Sequence, residues 1–487
     1  MRVLFVTSEI TPFSKTGGLA DVSESLPAAL AELGCDVTVV SPLYRVVAQH
    51  LAAAPFALEV ADGPPIPIGG AAQPLRFYTI AHRGCRIVFA GHDGFYDRAG
   101  LYVQPGAGDY GDNVARFAFL CRAALAWAAA QGGVDVVHAN DWQTALLPVY
   151  LRAGIDAAPT PPRSVFTIHN LAYQGHAAPA ELSTAGLDAS WHHPGALEFY
   201  GGVNLMKGGL VFADAITTVS PSYAEEIQQP DAGRGLDGVL RAMRGKLRGI
   251  LNGIDTAQWD PAVDPALSAN FTAADLAGKA RCKAALQADR GLPVDPDAFV
   301  LAAIGRFDAQ KGLPLICDAF PTIAALRPQL IVLGSGDSGI EATLRALAAR
   351  FPTLVSATVG FDETLAHRIE AGADAFLMPS AYEPCGLNQM YSQRYGTPPI
   401  VHATGGLRDT VVDHSAARAA GGFGSGFSFA TLDAAHLAEA ILRAWRVYRD
   451  EPDAWRALQR ACMQIDHSWS RSARTYFALY ESLRGAA

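Results

Sequence analysis

Two cationic loops and one glutamate stand out as groups able to handle a phosphate-bearing sugar. Lys15 opens the run Lys15-Thr-Gly-Gly-Leu-Ala-Asp-Val22, with Gly17 and Gly18 directly behind it. Paired glycines let backbone N–H groups approach a ligand closely, and a helix N-terminus beside a cation favours an anion. The spacing is neither G-x-G-x-x-G nor a Walker A loop, in which the lysine follows the glycines. The same turn also occurs purely for packing. Arg306 and Lys311 share the run Gly305-Arg-Phe-Asp-Ala-Gln-Lys-Gly312. A guanidinium clamps two oxygens and an ammonium adds a compact charge, so the pair suits a diphosphate; two solvated surface charges are the alternative. When a diphosphate leaves a sugar, negative charge grows on it, and fixed cations stabilise that state more than the ground state.

Glu383 lies in Ser380-Ala-Tyr-Glu-Pro-Cys-Gly-Leu-Asn-Gln-Met390. A carboxylate there can hold sugar hydroxyls or balance positive charge at an anomeric carbon; a helix N-terminal acid with only dipole benefit is the simpler reading. Thr404-Gly405-Gly406 repeats the pattern of a glycine pair opening a helix, a second candidate anion site. His169 reads equally as a satisfied core histidine or a ligand contact. Asp141, between Asn140 and Trp142, could hold hydroxyls beside an aromatic platform, or simply make a turn. Cys385 has no histidine arranged to activate it and reads as a packed thiol.

These residues need strands to present them. Short apolar runs recur at Val3–Thr7, Val37–Val40, Ile87–Ala90, Val134–His138, Val165–His169 and Ala215–Val219. Further runs follow at Leu247–Leu251, Phe299–Ile304, Leu330–Leu333, Ala375–Met378 and Pro399–His402. Helical stretches between them, the first at Leu19–Leu33, imply β-α-β crossovers and parallel sheets. Open parallel sheets bind ligands beyond the carboxyl ends of their strands. The candidate residues, Asn252 after Leu247–Leu251 included, fall at such ends. The expected fold is therefore α/β, with two Rossmann-like doubly wound sheets facing a cleft. Expected boundaries are an N-terminal domain over 1–247, a C-terminal domain over 248–465, and a final helix within 466–487 that returns to the N-terminal domain. The Gly/Ser-rich stretch Gly421–Phe429 reads as a loop.

With 487 residues the chain exceeds one hydrophobic core. A net charge of −9 gives no general attraction to nucleic acid. No run of apolar residues is long enough for a membrane span, and residues 1–10 read as a strand, not a secretory leader. Seven scattered cysteines without a C-x-x-C pair read as reduced cytoplasmic thiols, not a zinc site.

Taken together, the motifs resemble those of bacterial glycogen synthases and plant starch synthases, retaining glycosyltransferases of the GT-B fold. The resemblance runs almost end to end. It rests on Lys15–Asp21, Ala139-Asn-Asp-Trp142, Phe166-Thr-Ile-His-Asn-Leu-Ala-Tyr-Gln-Gly175, Leu251-Asn-Gly-Ile-Asp255, Arg306, Lys311, Glu383-Pro-Cys-Gly-Leu387 and Thr404-Gly-Gly-Leu407. It implies transfer of glucose from ADP-glucose to the non-reducing end of an α-1,4-glucan such as glycogen, with retention and with neither metal nor cofactor. By the same resemblance Lys15, Arg306 and Lys311 contact the donor diphosphate, with Gly17, Gly18 and Asp21 close by. Glu383 binds the donor glucose, beside Cys385, Gly386, Leu387, Thr404, Gly405 and Gly406. Asn252, His169 and Asp141 shape the sugar and acceptor sites, and Phe361 stacks on adenine. Two departures stand out. The family usually has Tyr where Phe361 stands, and its H-A-H-D-W-H is His138-Ala-Asn-Asp-Trp-Gln143 here. Tyr391, eight positions after Glu383, matches the synthases; related transferases have a second Glu there. A UDP-glucose-dependent transferase, a catalytically inactive glucan-binding protein and a phosphorylase are the competing expectations.

Overall fold

The structure, a computed structural model, describes residues 1–53, 55–156 and 161–485. The last two positions of the expected 466–487 segment lie outside the described residues. The chain divides into two compact units, residues 1–253 together with the segment from Trp469 onward, and residues 254–468.

The first unit is built on a nine-stranded sheet. Its spatial order is Leu247–Gly249, Ala215–Thr218, Arg163–Ile168, Val136–Asn140, Arg2–Val6, Asp36–Pro42, Cys85–Gly91, Arg76–His82 and Glu59–Asp62. The first seven run parallel, and the last two add antiparallel hairpin strands at one edge. The central strands are continuous apolar runs because helices cover both faces: Val3, Leu4, Phe5 and Val6 are all fully buried. Leu247–Gly249, which straddles the expected boundary at 247/248, pairs with Ala215–Thr218 inside this unit. The helix Trp469–Gly485 also belongs here. Tyr480 hydrogen-bonds through its hydroxyl to Nδ1 of buried His138 at 2.6 Å, and Ser472 Oγ donates to the Leu251 carbonyl.

The second unit has a six-stranded, all-parallel sheet in the order Val355–Val359, Gln329–Gly334, Val300–Ile304, Ala375–Met378, Pro399–His402 and Phe427–Phe429. Phe427–Phe429 corrects the reading of Gly421–Phe429 as loop throughout: both phenylalanines are buried, and the segment pairs in parallel with Pro399–His402 as the strand at that edge of the sheet.

In both sheets the chain starts in the middle, winds to one edge, then returns to wind toward the other. The reversal falls between Arg2–Val6 and Val136–Asn140 in the first unit. It falls between Val300–Ile304 and Ala375–Met378 in the second. Loops leaving two neighbouring parallel strands in opposite directions open a crevice at that point, where doubly wound folds bind ligands.

Candidate active site

At the reversal of the second sheet, Lys311 Nζ lies 2.7 Å from Glu383 Oε2. Lys311 follows Val300–Ile304 and Glu383 follows Ala375–Met378, so the pair bridges the two strands that flank the crevice. Asp308 holds the lysine loop: its Oδ1 accepts from the Lys311 backbone N–H at 3.0 Å, and its Oδ2 lies 3.5 Å from Arg306 Nη2. Gly312 follows at φ +68°, where a Cβ would come within 2.0 Å of the Pro379 carbonyl oxygen, so only glycine fits. Glu383 is 5% exposed. Ser380 Oγ donates to the same Oε2 at 3.0 Å. Both contacts thus fall on one carboxylate oxygen, Oε2.

The glycine pair of Thr404-Gly405-Gly406 packs directly under the glutamate segment. Gly406 N–H donates to the Glu383 carbonyl at 3.0 Å. A Cβ on Gly405 would sit 2.0 Å from that carbonyl oxygen, and one on Gly406 2.1 Å from the Cys385 carbonyl oxygen. These glycines therefore serve close backbone contact around Glu383, a role not anticipated from their spacing. Cys385 is buried, and Gln389 Nε2 donates to the carbonyls of Cys385 and Gly386. Leu387 precedes the helix Asn388–Arg394, and Asn388 Nδ2 donates back to the Ile304 carbonyl, tying the glutamate segment to the strand that precedes Arg306. Phe361 follows the edge strand Val355–Val359 and is 83% exposed. Asp362 next to it caps the helix Glu363–Gly372 through the Leu365 N–H.

At the reversal of the first sheet, Lys15 Nζ lies 2.6 Å from Asp21 Oδ1, which Thr11 Oγ1 also approaches. Burial raises the Asp21 carboxyl, opposed by the Lys15 charge. Gly17 is extended and precedes the helix Gly18–Glu32 with no capping side chain. A Cβ on Gly17 would meet nothing within 4 Å, so its face is open. The loop is moored from beneath by Glu9, a residue the spacing argument passed over. Glu9 accepts from the Thr16 backbone N–H, from Thr16 Oγ1 at 2.6 Å and from the Tyr102 hydroxyl at 2.5 Å. Burial raises its carboxyl, while these donors pull it back down. A carboxylate just beyond the first strand was a readable signal; Tyr102, from a distant loop, offered none.

Asp141, beyond Val136–Asn140, sits at φ +56°, a strained region for a non-glycine residue. Its Oδ1 accepts from the backbone N–H of His169 at 2.7 Å and of Asn170 at 3.3 Å. Burial pushes its carboxyl up to about 7. His169 Nε2–H donates to Asn140 Oδ1 at 2.9 Å, and burial pushes its imidazole down to about 3, so the ring is neutral. Trp142, part-buried beside Asp141, packs edge-on against Phe117 and lies over Gly175, where a Cβ would come within 2.5 Å of the indole. Asn252 is buried with Oδ1 lacking any partner among the described residues. No group of three or more His, Cys, Asp or Glu among the described residues is arranged to hold a metal.

Residues 2–242 match the starch synthase catalytic domain family and residues 287–456 the glycosyl transferases group 1 family. The chain is 48% identical to a glycogen synthase of Anaeromyxobacter sp. (strain Fw109-5), covering 99% of both chains. The chain belongs to the glycogen and starch synthase family. It is 46% identical to a glycogen synthase of Acidiphilium cryptum (strain JF-5) over 99% of both chains. Among solved structures, the catalytic domain of starch synthase IV from Arabidopsis thaliana, bound to ADP and acarbose, superposes with a TM-score of 0.89 at 33% identity over 99% of both chains. A sucrose-phosphate synthase from Thermosynechococcus elongatus shares the fold at TM-score 0.61 and 20% identity. The chain is thus a glycosyltransferase of the GT-B fold. Against the synthase pattern, Asn140 fills a histidine position and takes the hydrogen bond from His169. Gln143, the other replaced histidine, is buried with Oε1 lacking a partner among the described residues.

Proposed function

We propose that the protein transfers glucose, with retention, from ADP-glucose to the non-reducing end of an α-1,4-glucan. The observation that carries this reading is the Lys311–Glu383 pair at the strand reversal, with Lys311 and Ser380 both on Glu383 Oε2. In this reading Lys311 and Arg306 bind the donor diphosphate and stabilise the charge that grows on it as the glycosidic bond breaks. Lys15 and the Gly17–Gly18 backbone form an anion-binding turn of the first unit, the part the family resemblance gives to donor phosphate. Glu383 holds the glucose, and Lys311 fixes its side chain through the 2.7 Å contact. Phe361 offers its exposed face to the adenine. His169, neutral at physiological pH, is a hydrogen-bonding group rather than a charge, and it shapes the sugar site with Asp141 and Asn252. The side chains supply the positive charge, so no metal or cofactor takes part.

The bound ADP and acarbose named for the Arabidopsis thaliana relative support an adenine nucleotide and a glucan-like acceptor. No helix among the described residues is long and apolar enough to cross a membrane, and no disulfide links the seven cysteines; both fit the cytoplasmic setting we propose. The test is nucleotide release from ADP-glucose and UDP-glucose, each with and without glycogen. Glycogen-dependent release from ADP-glucose is expected; release from UDP-glucose alone would overturn the donor assignment.

A further inference from the structure

His169 is held at two points. Asp141 Oδ1 accepts its backbone N–H at 2.7 Å, and Asn140 Oδ1 accepts its ring N–H at 2.9 Å. Asn140 ends the strand Val136–Asn140, and its side chain also reaches the strand on the far side from His169. Its Nδ2 donates to the Val6 carbonyl at 3.0 Å and to the His138 carbonyl at 3.4 Å. Carbonyl oxygens only accept, so the amide can meet them in one orientation alone, nitrogen first. That orientation turns its oxygen to His169. An amide oxygen also only accepts, and the ring of His169 must therefore donate.

A neutral imidazole carries one proton, and the hydrogen bond made by one nitrogen decides the state of the other. Desolvation keeps the His169 ring neutral, pushing it down to about 3. With the proton on Nε2, Nδ1 is a bare lone-pair acceptor. Asn140 is 0% exposed, whereas His169 keeps part of its surface exposed. A ligand therefore meets the histidine, and the asparagine acts only through it. The family pattern has a histidine at position 140. A neutral imidazole there offers one N–H for the Val6 carbonyl and one bare nitrogen for His169, so it can serve the same two partners. An amide, unlike that imidazole, takes up no second proton and cannot exchange its donor and acceptor ends between these neighbours.

We propose, on the reading above that His169 shapes the sugar site, that Asn140 is a positioning residue for glycosyl transfer: its amide locks His169 as the Nε2–H tautomer, so that Nδ1 serves the sugar hydroxyls as an acceptor and never as a donor. The lock is a property of the free protein and can be read without any substrate.

The experiment reads tautomer and kinetics separately. Heteronuclear NMR of the full-length protein, labelled at its histidine ring nitrogens and free of substrate at neutral pH, shows which nitrogen of each ring carries the proton. The signals of His169 are those lost in His169→Gln. A proton on Nε2 alone is expected in the wild type and in Asn140→His, and a second tautomer in Asn140→Leu. For nucleotide release from ADP-glucose with glycogen, kcat/KM should fall roughly tenfold or more in Asn140→Leu and recover in Asn140→His. In a His169→Gln background, Asn140→Leu should add little further loss, because the asparagine works through the ring; a purely structural asparagine would cost the same in both backgrounds. A proton on Nδ1 in the wild type, an unchanged tautomer in Asn140→Leu, or equal losses in the two backgrounds overturns the proposal. If Asn140→Leu fails to fold, Asn140→Ala takes its place in each measurement. Wild-type protein that releases no nucleotide from ADP-glucose would instead overturn the proposed function, and the spectra then decide the lock alone.

Discussion

Lys311 and Glu383 stand 72 positions apart and meet at 2.7 Å across the two strands where the second sheet reverses direction. The contact sets a cation against a nearly buried carboxylate. Glu383→Gln keeps the shape and removes the charge; Lys311→Ala removes the partner. Both should lower kcat by about 10²–10³, the usual loss when one preorganised electrostatic contact is removed. Circular dichroism should show folded protein in each case. Near-normal turnover in either variant would remove that residue from the reaction.

The glycines of the two loops should respond in opposite ways. Gly405→Ala and Gly406→Ala push a methyl into backbone oxygens 2.0–2.1 Å away, so both should lower the melting temperature and the turnover together. Gly17→Ala meets open space on an extended backbone and should melt like wild type. Its effect should fall on the donor KM, because the methyl stands where the ligand would approach. Equal stability losses in all three would contradict this division.

Phe361 packs against little and is 83% exposed, so its replacement should cost no stability. Base–aromatic stacking contributes about 1–3 kcal/mol, and Phe361→Ala should therefore raise the donor KM by roughly tenfold or more. Phe361→Tyr should preserve it. Steady-state kinetics with ADP-glucose distinguish the two.

Much of this was readable from the chain, and the failures have physical causes. Central strands such as Arg2–Val6 and Val300–Ile304 are buried on both faces and show as unbroken apolar runs. Val355–Val359 was missed because it lies at a sheet edge, where its Ser, Ala and Thr are only half-buried. Glu59–Asp62, the exposed outer strand of the first sheet, was missed for the same reason. Each half of the Lys311–Glu383 pair was found from its loop, but their contact was not, since it depends on strand order rather than spacing. Glu9 and Tyr102 act on the Lys15 loop through tertiary contacts that no local pattern encodes.

Asp141 should make stability fall as pH rises. Its carboxyl is raised from 3.8 to about 7 in the fold, so between those values the native state binds more protons than the unfolded chain. The contribution is fully present below 3.8 and is lost as pH climbs through about 7. Asp141→Asn keeps an acceptor for the His169 N–H and removes the titration. The difference in melting temperature between variant and wild type should widen in the variant's favour across that window. A constant difference would place the ionisation elsewhere.

His138 has the opposite sign. Burial depresses its imidazole from 6.5 to about 3, so its neutral form stabilises the fold above 6.5 and that contribution is lost as pH falls toward 3. Tyr480→Phe strips the hydroxyl from His138 Nδ1 and should cost about 1–3 kcal/mol in denaturant unfolding at neutral pH. An unchanged midpoint would mean that the hydroxyl contributes nothing.

The helix Trp469–Gly485 completes the first unit, yet it is made only after the whole of residues 254–468. A ribosome extends a chain at about 5–20 residues per second, so the N-terminal sheet must wait through synthesis of residues 254–468 with the His138 face uncovered. The inserted unit, continuous in sequence, can finish folding first. Completion of the first unit is thus tied to synthesis of the second, and a chain cut short of Trp469 would leave the His138 face without its Tyr480 cover.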